Sequence, residues 1–177
     1  MKLNSFMLPI EVIKKMEGLI ELSLANNKEM GFNLCKKDDN ELIADSHHMG
    51  NEHELPIIRS CTKGKYVGHY HTHPPGGGGR SNLSFNDIAH IYYDGIGCVA
   101  GTLDGLIYCH TRKGDIDTKS KEKIVHGFNK FEKKILSDVT LKHEDKLEYD
   151  KTIKKLQDEL FRTFLIEELY EEEYDKD

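Results

Sequence analysis

Ile13, Met16, Ile20 and Leu24 recur every three or four residues, a spacing that predicts an amphipathic helix. Pro9 suits its opening, Gly18 weakens it only slightly, and Asn26 and Asn27 mark its end. Ahead of it, Leu3 to Leu8 predicts a short strand. After it, Gly31–Cys35 and Leu42–Ala44 read as two strands of a hairpin, joined across the polar run Lys36 to Asn40. Residues 45–63 read as polar and irregular, with a brief extended piece at Ile57 and Ile58. Lys65–Thr72 predicts a strand that runs into Pro74-Pro75-Gly76-Gly77-Gly78-Gly79, a stretch that continues neither regular element cheaply. Ser84 opens a helix to about Tyr92, and Cys98–Thr102 and Leu106–His110 read as strands joined at Asp104-Gly105. From Asp117 the pattern is helical to the end. Ile124, Phe128, Phe131 and Ile135 mark one helix; Leu156, Leu160, Phe164 and the pair Leu165/Leu169 mark a second. The fold class expected is α/β, with a domain over residues 1–115 and a charged C-terminal helical extension over 116–177.

Composition narrows the function classes. Apolar residues are 37% and charged residues 32% of the 177, so part of the chain is a wet, charged element. A chain this long can still hide roughly 70% of the surface its unfolded form exposes. The formal net charge of -6 disfavours a general grip on nucleic acid or an anionic membrane. No run approaches the roughly 20 apolar residues of a membrane span. The N-terminus lacks the apolar core of a signal peptide, so a soluble cytoplasmic protein is expected. The four cysteines, Cys35, Cys61, Cys98 and Cys109, form no CxxC pair, which argues against a zinc knuckle. Free thiols are expected in a reducing cytosol. Cys98–Cys109 is the pairing that adjacent strands would permit.

The chemistry concentrates in Gly68-His69-Tyr70-His71-Thr72-His73-Pro74. On a strand, residues two apart share a face, so His71 and His73 can aim at one point, and His69 has the same parity. Neutral imidazole is a good zinc ligand, and a catalytic zinc takes a further protein ligand and keeps one position open. Asp87, in the first turn of the helix after the glycine loop, is the candidate third ligand, with Ser84 one turn earlier. Each piece alone has an ordinary explanation: surface histidines, or a helix cap with an acid in the first turn. Together they are hard to reach by accident.

The combination resembles the signature of the JAB/MPN/JAMM metallopeptidases, in which a distant glutamate precedes His-Ser/Thr-His-Pro and Ser-x-x-Asp. His71-Thr72-His73-Pro74 fits in full, and Ser84 and Asp87 fit in type and mutual spacing. The segment Pro74–Leu83 is longer than the family's, which we read as an insertion in the glycine loop; Ser81 sits at the usual distance, but the residue three on is Ser84 and not an aspartate. The family's glutamate falls on Glu29, ahead of Met30-Gly31-Phe32, with Glu21 and Glu41 as the other choices.

The resemblance covers roughly residues 1–112. It implies a central mixed sheet flanked by helices, in the cytidine-deaminase-like JAB/MPN fold. It implies one zinc ion per chain on His71, His73 and Asp87, with Glu29 as general base and acid and Ser84 as hydrogen-bond donor to the oxyanion. The implied activity is hydrolysis of a peptide or isopeptide bond, at the tail of a ubiquitin-like or sulfur-carrier protein. A non-catalytic scaffold of the same fold is the competing reading, and a DNA-associated relative is disfavoured by the acidic charge. The remaining histidines, including His47, His48, His53, His90 and His110, are expected to be solvated or element-face residues. The C-terminal helices are expected to pack on the domain or on a partner, including a second copy of the chain.

Overall fold

The computed structural model describes residues 8–53 and 55–169. The strand expected at Leu3 to Leu8 lies outside them except for Leu8. The elements run α1 (Ile10–Asn26), β1 (Met30–Lys36), β2 (Leu42–Met49), β3 (Lys65–His73), α2 (Phe85–Asp94), β4 (Ile96–Gly101), β5 (Ile107–Arg112), α3 (Thr118–Gly127), a π-helical turn (Phe128–Glu132), α4 (Lys133–Leu136), α5 (His143–Leu160) and β6 (Phe161–Leu165). The strands form one six-stranded mixed sheet in the order β2-β1-β3-β4-β5-β6. Among the described strands only β3 and β4 run parallel, and α2 supplies the crossover that parallel neighbours need. The protein is thus a mixed α/β sheet flanked by helices.

Strand alternation decides what each face of the sheet carries. Tyr70, Cys98, Ala100, Ile107 and Cys109 point to the α1 side and pack with Val12, Ile13 and Met16. On the other face Val99 packs with Phe85, Ile88 and Ile91 of α2 and with Ile153, Leu156 and Leu160 of α5. His69, His71 and His73 have the opposite parity to Tyr70 and so lie on the α2 side. Asn27, at φ 51°, turns the chain out of α1 towards β1.

Three expectations need correction. The hairpin strand from Leu42 continues to Met49, so His47 and His48 sit on β2 and not in an irregular loop. The helical pattern expected to run to the end breaks at Phe161, where β6 pairs with β5 through Thr163–His110 and its neighbours. Leu160 and Phe164 are four apart and imitate a helical stripe. Phe161 and Phe164, however, enter opposite cores, which is strand behaviour, and β6 covers an edge that β5 would otherwise expose. The segment from 116 on is therefore not purely a helical extension, because it returns a strand to the sheet.

The third correction concerns the cysteines. They are not free: Cys98 and Cys109 face each other across β4 and β5 with Cα atoms 4.1 Å apart, and Cys35 bonds to Cys61. Disulfides persist mainly in oxidising compartments, so the thiol argument for a reducing cytosol does not carry over. No helix among the described residues is long and apolar enough to cross a membrane.

Candidate metal centre

A cleft of about 710 Å³ lies where the end of β3 meets the first turn of α2. Glu29, His71, His73, Ser84 and Asp87 all line it. Glu21 and Glu41 are exposed elsewhere, the latter paired with Lys37. Leu55 and Ile57 contribute to the wall from one side, and Phe128, Glu132, Ile135 and Tyr149 from the C-terminal segment.

Each side chain is held by its own element. Thr72 points away from the cleft and ties β3 to β1. Its hydroxyl accepts from Met30 N at 3.0 Å and donates to Ser23 Oγ at 2.7 Å. Ser23 in turn donates to Lys28 O, and Glu29 N donates to Asn51 O. The residue between the two histidines thus fixes the backbone beside Glu29. Past His73, the loop is anchored and does not hang free. Gly79 N donates to Pro74 O, Leu103 N donates to Gly79 O, and both Ser81 N and Ser81 Oγ donate to Asp104. Gly78 and Gly79 have φ of 103° and 67°, a left-handed backbone that favours glycine. Ser84 is the N-cap of α2: its Oγ accepts from Asp87 N and its own N–H donates to Asp87 Oδ2, a reciprocal capping box.

The ligand atoms converge. Asp87 Oδ1 lies 2.9 Å from His71 Nε2, and Asp87 Oδ2 lies 3.1 Å from His73 Nε2. Ligands around a tetrahedral zinc with bonds near 2.1 Å sit about 3.4 Å apart, so a small outward shift of Asp87 would admit the ion. Glu29 Oε1 lies 3.9 Å from His71 Nε2. Glu29, His71 and His73 each bring one ligand atom within 4.8 Å of the others. The geometry therefore offers two carboxylates for the position beside the histidines.

Hydrogen bonding and charge both ask for a cation here. His73 Nδ1 lies 2.6 Å from Arg80 O, an acceptor only, so Nδ1 carries the proton and Nε2 faces Asp87. A lone pair aimed at a carboxylate is unfavourable unless a proton or metal stands between them. His71 Nε2 lies against Asp87 Oδ1 at 2.9 Å, and His71 Nδ1 has no hydrogen-bond partner among the described residues. Burial alone would push the His73 imidazolium down, but the charge and hydrogen bond of Asp87, with Glu29 and Arg80 O, outweigh it and raise its pKa to about 9. Burial likewise opposes ionisation of Asp87, yet His71 and His73 hold it well below the usual carboxylate range.

Some residues of this neighbourhood carry no motif in the sequence. His69 is buried and stacks on His71 at 5.2 Å, with Nδ1 3.6 Å from Asp94 Oδ2. Asp94 also accepts from Arg59 Nε and Tyr66 Oη. His90 lies between Asp87 and Asp94 on α2, lines the cleft and contacts Arg59. His110, expected on a surface or element face, is buried, and Thr163 meets its Nδ1 at 2.9 Å. Burial lowers the pKa of both His69 and His110 to about 4, so they are neutral at ordinary pH. Glu132 accepts from Phe85 N and Asn86 N. Parity reveals His69 from the sequence, but nothing there points to Glu132.

Comparison of the chain with profiles of known protein families gives no match, and comparison with curated proteins gives none.

Proposed function

We propose that this protein is a zinc-dependent hydrolase of the JAB/MPN/JAMM type, acting on peptide or isopeptide bonds at the tail of a ubiquitin-like or sulfur-carrier protein. One observation carries the reading: His71 and His73 from one strand face and Asp87 from the next helix meet at hydrogen-bond distances in an open cleft, with Glu29 beside them. His71, His73 and Asp87 would hold the metal. Zinc, when bound, supplies Lewis acidity and makes a hydroxide nucleophile available near neutral pH. Glu29 takes the proton from the attacking water and returns it to the leaving nitrogen. Ser84 Oγ accepts from Asp87 N, and its hydroxyl proton, which rests on Glu132 in this structure, would turn to the oxyanion. The arrangement of the sheet and helices is the JAB/MPN fold on this reading, and an extended tail suits the open cleft.

The primary test is elemental analysis of the purified, desalted chain. About one zinc per chain is expected, as one closed ligand set would hold. Zinc absent, and not taken up on addition, would leave the non-catalytic scaffold as the better account.

A pH dependence follows. Zinc needs His73 neutral, whereas without metal its pKa is about 9 against an ordinary 6.5. Metal uptake between these values expels that proton, so zinc affinity is expected to rise by up to about tenfold per pH unit and level off above the upper value. The raised pKa also stabilises the chelated chain below pH 6.5, and this contribution fades as pH climbs through about 9. Chelator competition at several pH values, with melting curves in chelator, checks both. A flat zinc affinity across that window would remove the protonated His73–Asp87 pair from the account.

A further inference from the structure

The first turn of α2 carries Asp87 and Ser84, and its four leading N–H groups need acceptors that the helix itself cannot supply. The capping box satisfies two of them, Ser84 N and Asp87 N. The other two, Phe85 N and Asn86 N, both donate to the carboxylate of Glu132, at 2.7 and 3.1 Å. The Ser84 hydroxyl hydrogen-bonds to the same carboxylate. Glu132 is only 6% exposed and sits 47 residues along the chain from Phe85.

A solvated helix end would satisfy these groups with water at little cost. Burying a carboxylate near Asp87 is costly, because like charges resist it. Several features nonetheless aim it there. Glu132 closes the π-helical turn Phe128–Glu132, and such turns add a residue that redirects side chains, often at functional sites. Gly127, just before that turn, lets it approach α2: a Cβ there would collide with the Phe85 ring. Tyr149 Oη of α5 lies 3.4 Å from Glu132 Oε2. Two elements of the C-terminal segment thus deliver one acid to the helix end that presents Asp87.

We propose that Glu132 is a positioning residue of the metal centre, clamping the first turn of α2 so that Asp87 and Ser84 stay aimed at the point where His71 and His73 meet. The inference rests on the zinc reading above. It assigns the C-terminal segment a part in the site and not only in packing or partner contacts.

The test is the zinc affinity of the full chain carrying Glu132→Gln, measured by competition with a chelating indicator at a temperature where circular dichroism shows it folded. The amide oxygen can accept from one N–H, but its NH2 opposes the other. The expected result is zinc binding weakened by roughly 10- to 100-fold, as for outer-shell partners of metal ligands. Should Glu132→Gln not fold, Glu132→Asp, which withdraws the charge by one methylene, is measured with the same expectation. A role in folding alone would lower the melting temperature and leave zinc affinity unchanged, and that result would overturn the inference. A wild-type chain that binds no zinc would overturn the metal reading and this inference with it.

Discussion

Glu29→Gln is expected to keep its zinc and lose hydrolysis by roughly 100- to 10,000-fold, the usual contribution of a positioned general base. The substitution is nearly isosteric, so it leaves the fold of this corner alone. Glu29 is anchored through its backbone, by Glu29 N to Asn51 O, Gly50 N to Glu29 O and the Thr72 hydroxyl on Met30 N. The carboxylate lies 3.9 Å from His71 Nε2, beyond direct contact but within reach of a water between them. An amide there can accept a hydrogen bond but cannot take the proton. The assay pairs zinc content with cleavage of a ubiquitin-like conjugate that the wild type is first shown to cut. Unchanged turnover would remove Glu29 from the chemistry. Loss of zinc together with activity would instead make Glu29 a ligand.

The elements nearest the candidate site were the most legible in the sequence, and the reason is physical. A strand of fixed parity, a stretch of Pro and Gly that continues neither regular element cheaply, and a capped helix start are all local features. They predicted β3, the turn and α2 to within a residue or two at most ends. The same parity placed His69 beside His71. What was not legible depended on distant pairing. The tail of β2 carries polar residues, Asp45 to His48, and becomes a strand only because β1 offers it a partner. The run Phe161–Leu165 has no strand alternation strong enough to beat the helical stripe before it, and the exposed edge of β5 decides the matter. Glu132 looked like one acid among many in a charged segment. Its meaning comes from two N–H groups 46 and 47 residues away. Cys35–Cys61 is likewise set by how segment 50–64 folds back on β1, where Asn33 Nδ2 donates to Ile58 O and Ser60 O.

Asp87→Ala separates the two carboxylates that the cleft offers to a metal. Asp87 touches both imidazole Nε2 atoms and caps its own helix through Ser84 N, so its removal has two consequences. The first is a loss of about 1 kcal/mol from the broken capping box, seen as a lower melting temperature in chelator. The second is larger: zinc affinity should fall by more than the roughly 10–100-fold that outer-shell changes cost, because a direct ligand is gone. Asp87→Asn distinguishes them, since it keeps an oxygen for Ser84 N while surrendering the charge; its cap should survive and its zinc should not. Hydrolysis should vanish in both. Full zinc occupancy in Asp87→Ala would point to Glu29, His71 and His73 as the holding set, the group whose ligand atoms already lie within 4.8 Å of one another. Glu29→Gln would then have to lose the metal, so the two variants must give opposite zinc results whichever carboxylate is the ligand. If Glu29 is the ligand, it cannot also be the free base, and the base would have to be sought among the other acids of the cleft.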